Sequence, residues 1–173
     1  AALGAGRTRG AASARPAVGR VIGATVAVAA AATVLPVYLH QRTEWAKDGG
    51  SDLRAVAAYV ETHAHGGDAV VFDRTTKPSR RPRLAMHLYP RAFAGLADVT
   101  LRTPYITRAG IWDLTWPIAR VAPTLDESTV WALELPDSTT QTPPDVLALE
   151  AEGNRVVNRR TIHRTVVYHL EKE

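Results

Sequence analysis

Residues 130–136 read Val130-Trp131-Ala132-Leu133-Glu134-Leu135-Pro136, a mostly apolar run with β-branched and aromatic members. It is too short for a stable helix, and proline closes it by removing a ladder donor, so it reads as a strand. Upstream, Asp68 leads into Ala69-Val70-Val71-Phe72, a second short run of buried-strand type. Asp98-Val99-Thr100-Leu101 reads as a third. Downstream, Val156, Val157, Thr161 and Ile162, then Thr165, Val166, Val167, Tyr168 and Leu170, give two strands turning near His163-Arg164.

Helical patterns separate these runs. Ser51 can cap a helix from Asp52, with Leu53, Val56, Ala57 and Val60 on one face and Gly66-Gly67 as the stop. Pro82 can open a helix containing Leu84, Met86, His87 and Leu88 that ends at Pro90. Pro143-Pro144-Asp145 opens another, running through Glu152 to Gly153-Asn154. Residues 111–121 fit either state, because Trp112 and Trp116 share a helical face while Pro117 opposes a helix. Helices and strands in this order predict an α/β fold. The expected domain is a small, mostly parallel sheet with helices on its faces and an antiparallel hairpin at one edge.

The first fifty residues differ in kind. Val21 to Leu39 reads VIGATVAVAAAATVLPVYL without a charge, close to the roughly 20 residues that span a bilayer as a helix. Arg20 bounds it before; His40, Gln41 and Arg42 bound it after, and Tyr38 and Trp45 stand where interfacial aromatics anchor a span. A buried Ala-rich helix and a signal peptide are the competing readings. The expected organisation is a basic cytoplasmic flank over 1–20, a transmembrane helix over 21–39, a linker over 40–50 and an extracytoplasmic α/β domain over 51–173. That domain is expected to fold without the helix.

Composition narrows the function. The 173 residues are 46% apolar and 22% charged, enough for a packed core, and there is no cysteine. Disulfide frameworks, thiolate metal sites and cysteine nucleophiles are therefore excluded. The net charge is +4, but Arg7, Arg9, Arg15 and Arg20 are the only charged residues before His40. Removing those four from 21 basic residues leaves 17, equal to the 17 acidic residues that follow. The excess is local, so no basic footprint for nucleic acid exists, and the flank places the N-terminal side in the cytoplasm. The chain opens Ala1-Ala2-Leu3-Gly4, and its only Met is Met86; this is expected of a processed chain or a piece of a longer one.

Three constellations could carry chemistry. Arg74, Lys77, Arg80, Arg81, Arg83 and Arg91 form the densest basic cluster. Arg80, Arg81 and Arg83 follow the first strand and precede a helix, a position suited to a lipid phosphate or another anion; a solvated loop is the plainer reading. Trp112, Asp113, Trp116 and Pro117 could line a sugar or lipid groove, against a core or membrane-surface role. Asp68 and Asp73 flank the first strand as a conceivable carboxylate pair, although turn capping is the commoner use. His63, His65, His87, His163 and His169 lack the i, i+4 spacing of a helical metal pair, so no metal site is expected. No nucleophile elbow, phosphate-binding loop or dinucleotide fingerprint is present, and no cofactor is expected.

The order of segments resembles the C-terminal end of actinobacterial multi-pass glycosyltransferases of the GT-C type, similar to the family-39 protein mannosyltransferases. The likeness rests on the apolar segment, then Leu53-Arg54-Ala55-Val56-Ala57-Ala58-Tyr59-Val60, Gly67-Asp68-Ala69-Val70-Val71-Phe72 and Val130-Trp131-Ala132-Leu133, and covers roughly residues 18 to 171. It implies sugar transfer from a polyprenyl-phosphate donor to an extracytoplasmic acceptor, with this part as a positioning domain beside the membrane body of the parent enzyme. In that family the catalytic acid lies in the first extracytoplasmic loop. No residue here matches it, so no catalytic residue is carried over. The alternatives are a single-pass anchored module with a binding or structural role in the cell envelope, and an anchored hydrolase.

Overall fold

The structure, a computed structural model, describes residues 15–42, 50–136 and 142–173. The chain divides into two units, Ala1–Glu44 and Trp45–Glu173.

The first unit is helix α1, Arg15–Gln41. Its segment Gly19–Gln41 has 23 residues, a mean hydropathy of 2.0 and no buried part. At 1.5 Å per residue it is about 35 Å long, enough to cross a hydrocarbon layer of about 30 Å. Its hydroxyls are satisfied within the helix: Thr25 donates to the Val21 carbonyl, and Thr33 to those of Ala29 and Ala30. A helix in lipid needs that internal pairing, since no water is available. Tyr38 lies in the last turns with the Arg42 guanidinium 4.8 Å from its ring centroid. Trp45, the other expected anchor, lies outside the described residues.

The second unit is a mixed α/β domain. Its elements are α2 (Leu53–His63), β1 (Ala69–Phe72), α3 (Leu84–Leu88), β2 (Ala97–Asp98), β3 (Leu101–Thr103), β4 (Leu114–Thr115), α4 (Ile118–Val121), β5 (Thr129–Glu134), α5 (Pro144–Ala151), β6 (Asn154–Ile162) and β7 (Thr165–Lys172). Five strands form one sheet in the order β2-β1-β5-β7-β6. β1 runs parallel to both β2 and β5, with Val70 opposite Asp98 on one side and Trp131 on the other. β7 turns the sheet antiparallel beside β5, and β6 closes the edge as the hairpin partner of β7.

Period-two alternation builds a core on each face. Ala69, Val71, Val130, Ala132, Val166, Tyr168 and Leu170 pack under Ile118, Ala122, Val146 and Leu149. Val70, Phe72, Trp131, Leu133 and Val167 pack under Val56, Ala57, Val60, Ala85 and Phe93. Every residue of β1 is buried, as expected of a parallel strand covered on both sides.

Local signals differ from expectation in two places, and an ambiguous segment resolves into both of its states. The first cap is Asp52, not Ser51: the Asp52 carboxylate accepts the Ala55 N–H at 2.8 Å, reaching the third helical position. The strand expected at 98–101 divides, because Trp116 N–H takes the Thr100 carbonyl at 2.8 Å and draws β3 away to pair with β4 in a separate two-stranded sheet. Residues 111–121 use both states in turn, extended at β4 and helical from Ile118, with Pro117 as the cap where its missing N–H costs nothing.

Candidate functional site

The expected basic cluster does not act as one surface. Arg83 is buried, with only 8% of its side chain exposed. It forks onto Asp98 and donates through Nε to Asp113 Oδ2 at 2.8 Å, with its guanidinium 5.2 Å from the Phe72 ring centroid. His87 Nε2 also meets Asp113 Oδ2 at 2.8 Å. Burial pushes the Asp113 carboxyl up, but the hydrogen bonds from Arg83 and the Tyr105 N–H and the charges of Arg83 and His87 outweigh it and hold it below the ordinary range. Arg83 therefore ties β2 to the segment before β4, and no anion contact is proposed for it. Arg81 is half-buried and donates through Nε to the Thr76 carbonyl at 3.0 Å; burial and the neighbouring Arg74 charge lower its pKa. Arg80 is exposed. The helix that follows, α3, has five residues.

Asp68 and Asp73 stand at opposite ends of β1 and do not pair. Asp68 Oδ2 accepts the Trp131 indole N–H and the His65 N–H, each at 2.9 Å. Asp73 accepts the N–H groups of Thr75 and Leu135, stitching the loops after β1 and β5 together. The histidines are similarly engaged: His63 Nδ1 lies 2.7 Å from the Tyr59 carbonyl, and His169 stacks on Trp131 at 4.3 Å. Among the described residues no three His, Asp or Glu side chains converge for a metal ion.

What the sequence reading missed lies at the carboxyl ends of β1 and β5, the edge where α/β sheets hold ligands. A cavity of about 290 Å³ opens there, lined by Asp73, Thr75, Thr76, Glu134, the prolines 136, 143 and 144, and Arg164. Arg164 reaches it because β7 runs against β5, so the β6–β7 turn falls at the same end. Glu134 is only 3% exposed, and its Oε1 has no hydrogen-bond partner among the described residues. Burial, with the charges of Asp145 and Asp73, raises its pKa to about 9. Asp145, in the first turn of α5, is raised to about 6 by burial and by Asp73, against the opposing pull of Arg74. At neutral pH the cavity thus presents the protonated Glu134 carboxyl, able to donate and accept. The signal was present: Glu134 is the one charged residue in the run 130–135 and shares a face with Val130 and Ala132.

No protein-family model, curated protein or solved structure matches the chain. The reading of this site rests on its geometry. A larger groove of about 570 Å³ lies between α2 and residues 88–92, lined by Ala57, Ala58, Pro90 and Ala92 with Arg54, Glu61, Tyr89 and Arg91.

Proposed function

We propose that the chain is a membrane-anchored positioning domain of a polyprenyl-phosphate-dependent glycosyltransferase. The bond chemistry would be carried out by the membrane body of the parent enzyme, and the α/β domain would hold hydroxyl groups of donor or acceptor. The observation that carries this reading is the combination of an exposed apolar helix with a cavity in which the buried Glu134 has one oxygen, Oε1, without a hydrogen-bond partner among the described residues. A protonated carboxyl suits a sugar hydroxyl, because each group can both donate and accept.

The test is sugar transfer from a labelled polyprenyl-phosphate donor by membranes containing the complete gene product. Glu134→Leu should raise KM with little change in kcat, while Glu134→Gln, which keeps a donor and an acceptor, should stay near wild type. Absence of transfer by the intact product would remove the transferase reading. It would leave the anchored binding module, which the self-contained two-faced core of the second unit favours.

A further inference from the structure

The segment between β3 and β4 is built unlike a solvated loop. Every residue from Tyr105 to Ile111 is exposed. Ile106 and Ile111 are each 75% exposed, the highest values among the exposed large apolar residues described. Leu88 is also exposed, and it follows His87, whose ring meets Tyr105 edge-on at 5.3 Å. Exposed isoleucines on a mobile loop would mean little, but this one is closed at its base. Tyr105 N–H donates to Asp113 Oδ1 at 2.7 Å, and Arg108 donates to the Trp112 carbonyl at 3.1 Å. Asp113 is in turn held by Arg83 and His87. The loop is a compact, pre-ordered projection with its apolar side chains turned outward.

Charge around it is one-sided. From Leu101 to Leu125 the only acidic residue is Asp113, which is buried and paired. Arg102, Arg108 and Arg120 are exposed, and the guanidinium groups of Arg102 and Arg120 lie 4.5 and 3.6 Å from the Trp116 ring centroid. Apolar side chains, half-buried indoles and arginines, with no exposed carboxylate between Leu101 and Leu125, make up the chemistry of an interfacial membrane contact. A protein surface would ordinarily be met with both signs of charge.

We propose that the loop Tyr105–Ile111 docks on the bilayer, placing Ile106 and Ile111 at the acyl boundary and the flanking arginines against anionic headgroup phosphates. This rests on the reading of α1 as a membrane span, which brings a lipid surface within reach of the domain by chain length alone.

The chain has no cysteine, so single spin labels can be placed cleanly. The full chain is reconstituted into vesicles of phosphatidylcholine and phosphatidylglycerol, labelled in turn at Ile106→Cys, Ile111→Cys, Leu147→Cys and Ala30→Cys. Leu147 is an exposed apolar residue on α5 and serves as the aqueous reference. The ratio of oxygen to nickel-chelate accessibility should be several-fold higher at positions 106 and 111 than at 147, and Arg108→Glu should lower it. Equal, water-like ratios at 106, 111 and 147 would overturn the proposal. Labels at 106 and 111 shielded from both reagents would also overturn it, and would indicate a second copy or another protein. Position 30 reads the span independently: a lipid-like ratio there with water-like loops fails the docking alone, and a water-like ratio there fails the span.

Discussion

Arg83 and Glu134 are both buried ionisable residues, and they answer burial in opposite ways. Arg83 is met on two sides by the carboxylates of Asp98 and Asp113. Arg83→Met would strand two carboxylates with little solvent, and loss of one side of a buried pair costs about 3–5 kcal/mol. The denaturant midpoint should fall accordingly, and a loss below about 1 kcal/mol would count against the buried network. Glu134 instead gives up its charge. Its carboxyl, ordinarily near 4.5, titrates at about 9 when folded. The folded state therefore holds a proton that the unfolded chain releases across that interval. The stability contributed by this proton is complete below pH 4.5 and is lost as pH rises through about 9. Glu134→Gln removes that slope. Between about pH 5 and pH 8 the wild type should lose more than about 1 kcal/mol relative to the variant. Parallel unfolding curves for the two proteins would contradict a neutral Glu134. Neither role was visible along the chain. Arg83 read as one member of a basic loop, and Glu134 as part of a strand, since burial and field are set by residues distant in sequence.

At the scale of elements, local chemistry reads well where one signal acts alone. Asp52, Leu53, Val56, Ala57 and Val60 specify α2 within a single residue of its observed start. Asp52→Ala removes the carboxylate that accepts the Ala55 N–H, and thermal unfolding should show a loss of about 1 kcal/mol. No loss would mean that water replaces the cap. β1, β5 and the β6–β7 hairpin were likewise legible from apolar runs and turn residues. The segment 97–103 was not. Its apolar residues supply only short range, and the choice between one strand and two was made by Trp116 reaching Thr100. Residues 111–121 were ambiguous for a related reason, because Pro117 separates an extended piece from a helical one and each is too short to show a period.

At the scale of the molecule, the second unit carries a core on each face of its sheet. A chain beginning at Ser51 should therefore unfold in one cooperative transition, seen as coincident melting by tryptophan fluorescence and far-ultraviolet circular dichroism. A broad, probe-dependent melt would show that the domain depends on the segment before it. What the sequence by itself determined was the uncharged apolar segment Val21–Leu39, the α/β order and the two-faced strands, because hydropathy and periodicity are local properties. Only the tertiary structure decided that Arg83 is enclosed by partners 15 and 30 residues away, and that Glu134 shares a cavity with Asp73 and Arg164. Those outcomes depend on which strand ends meet and how much water is left between them, and no short window of sequence contains that information.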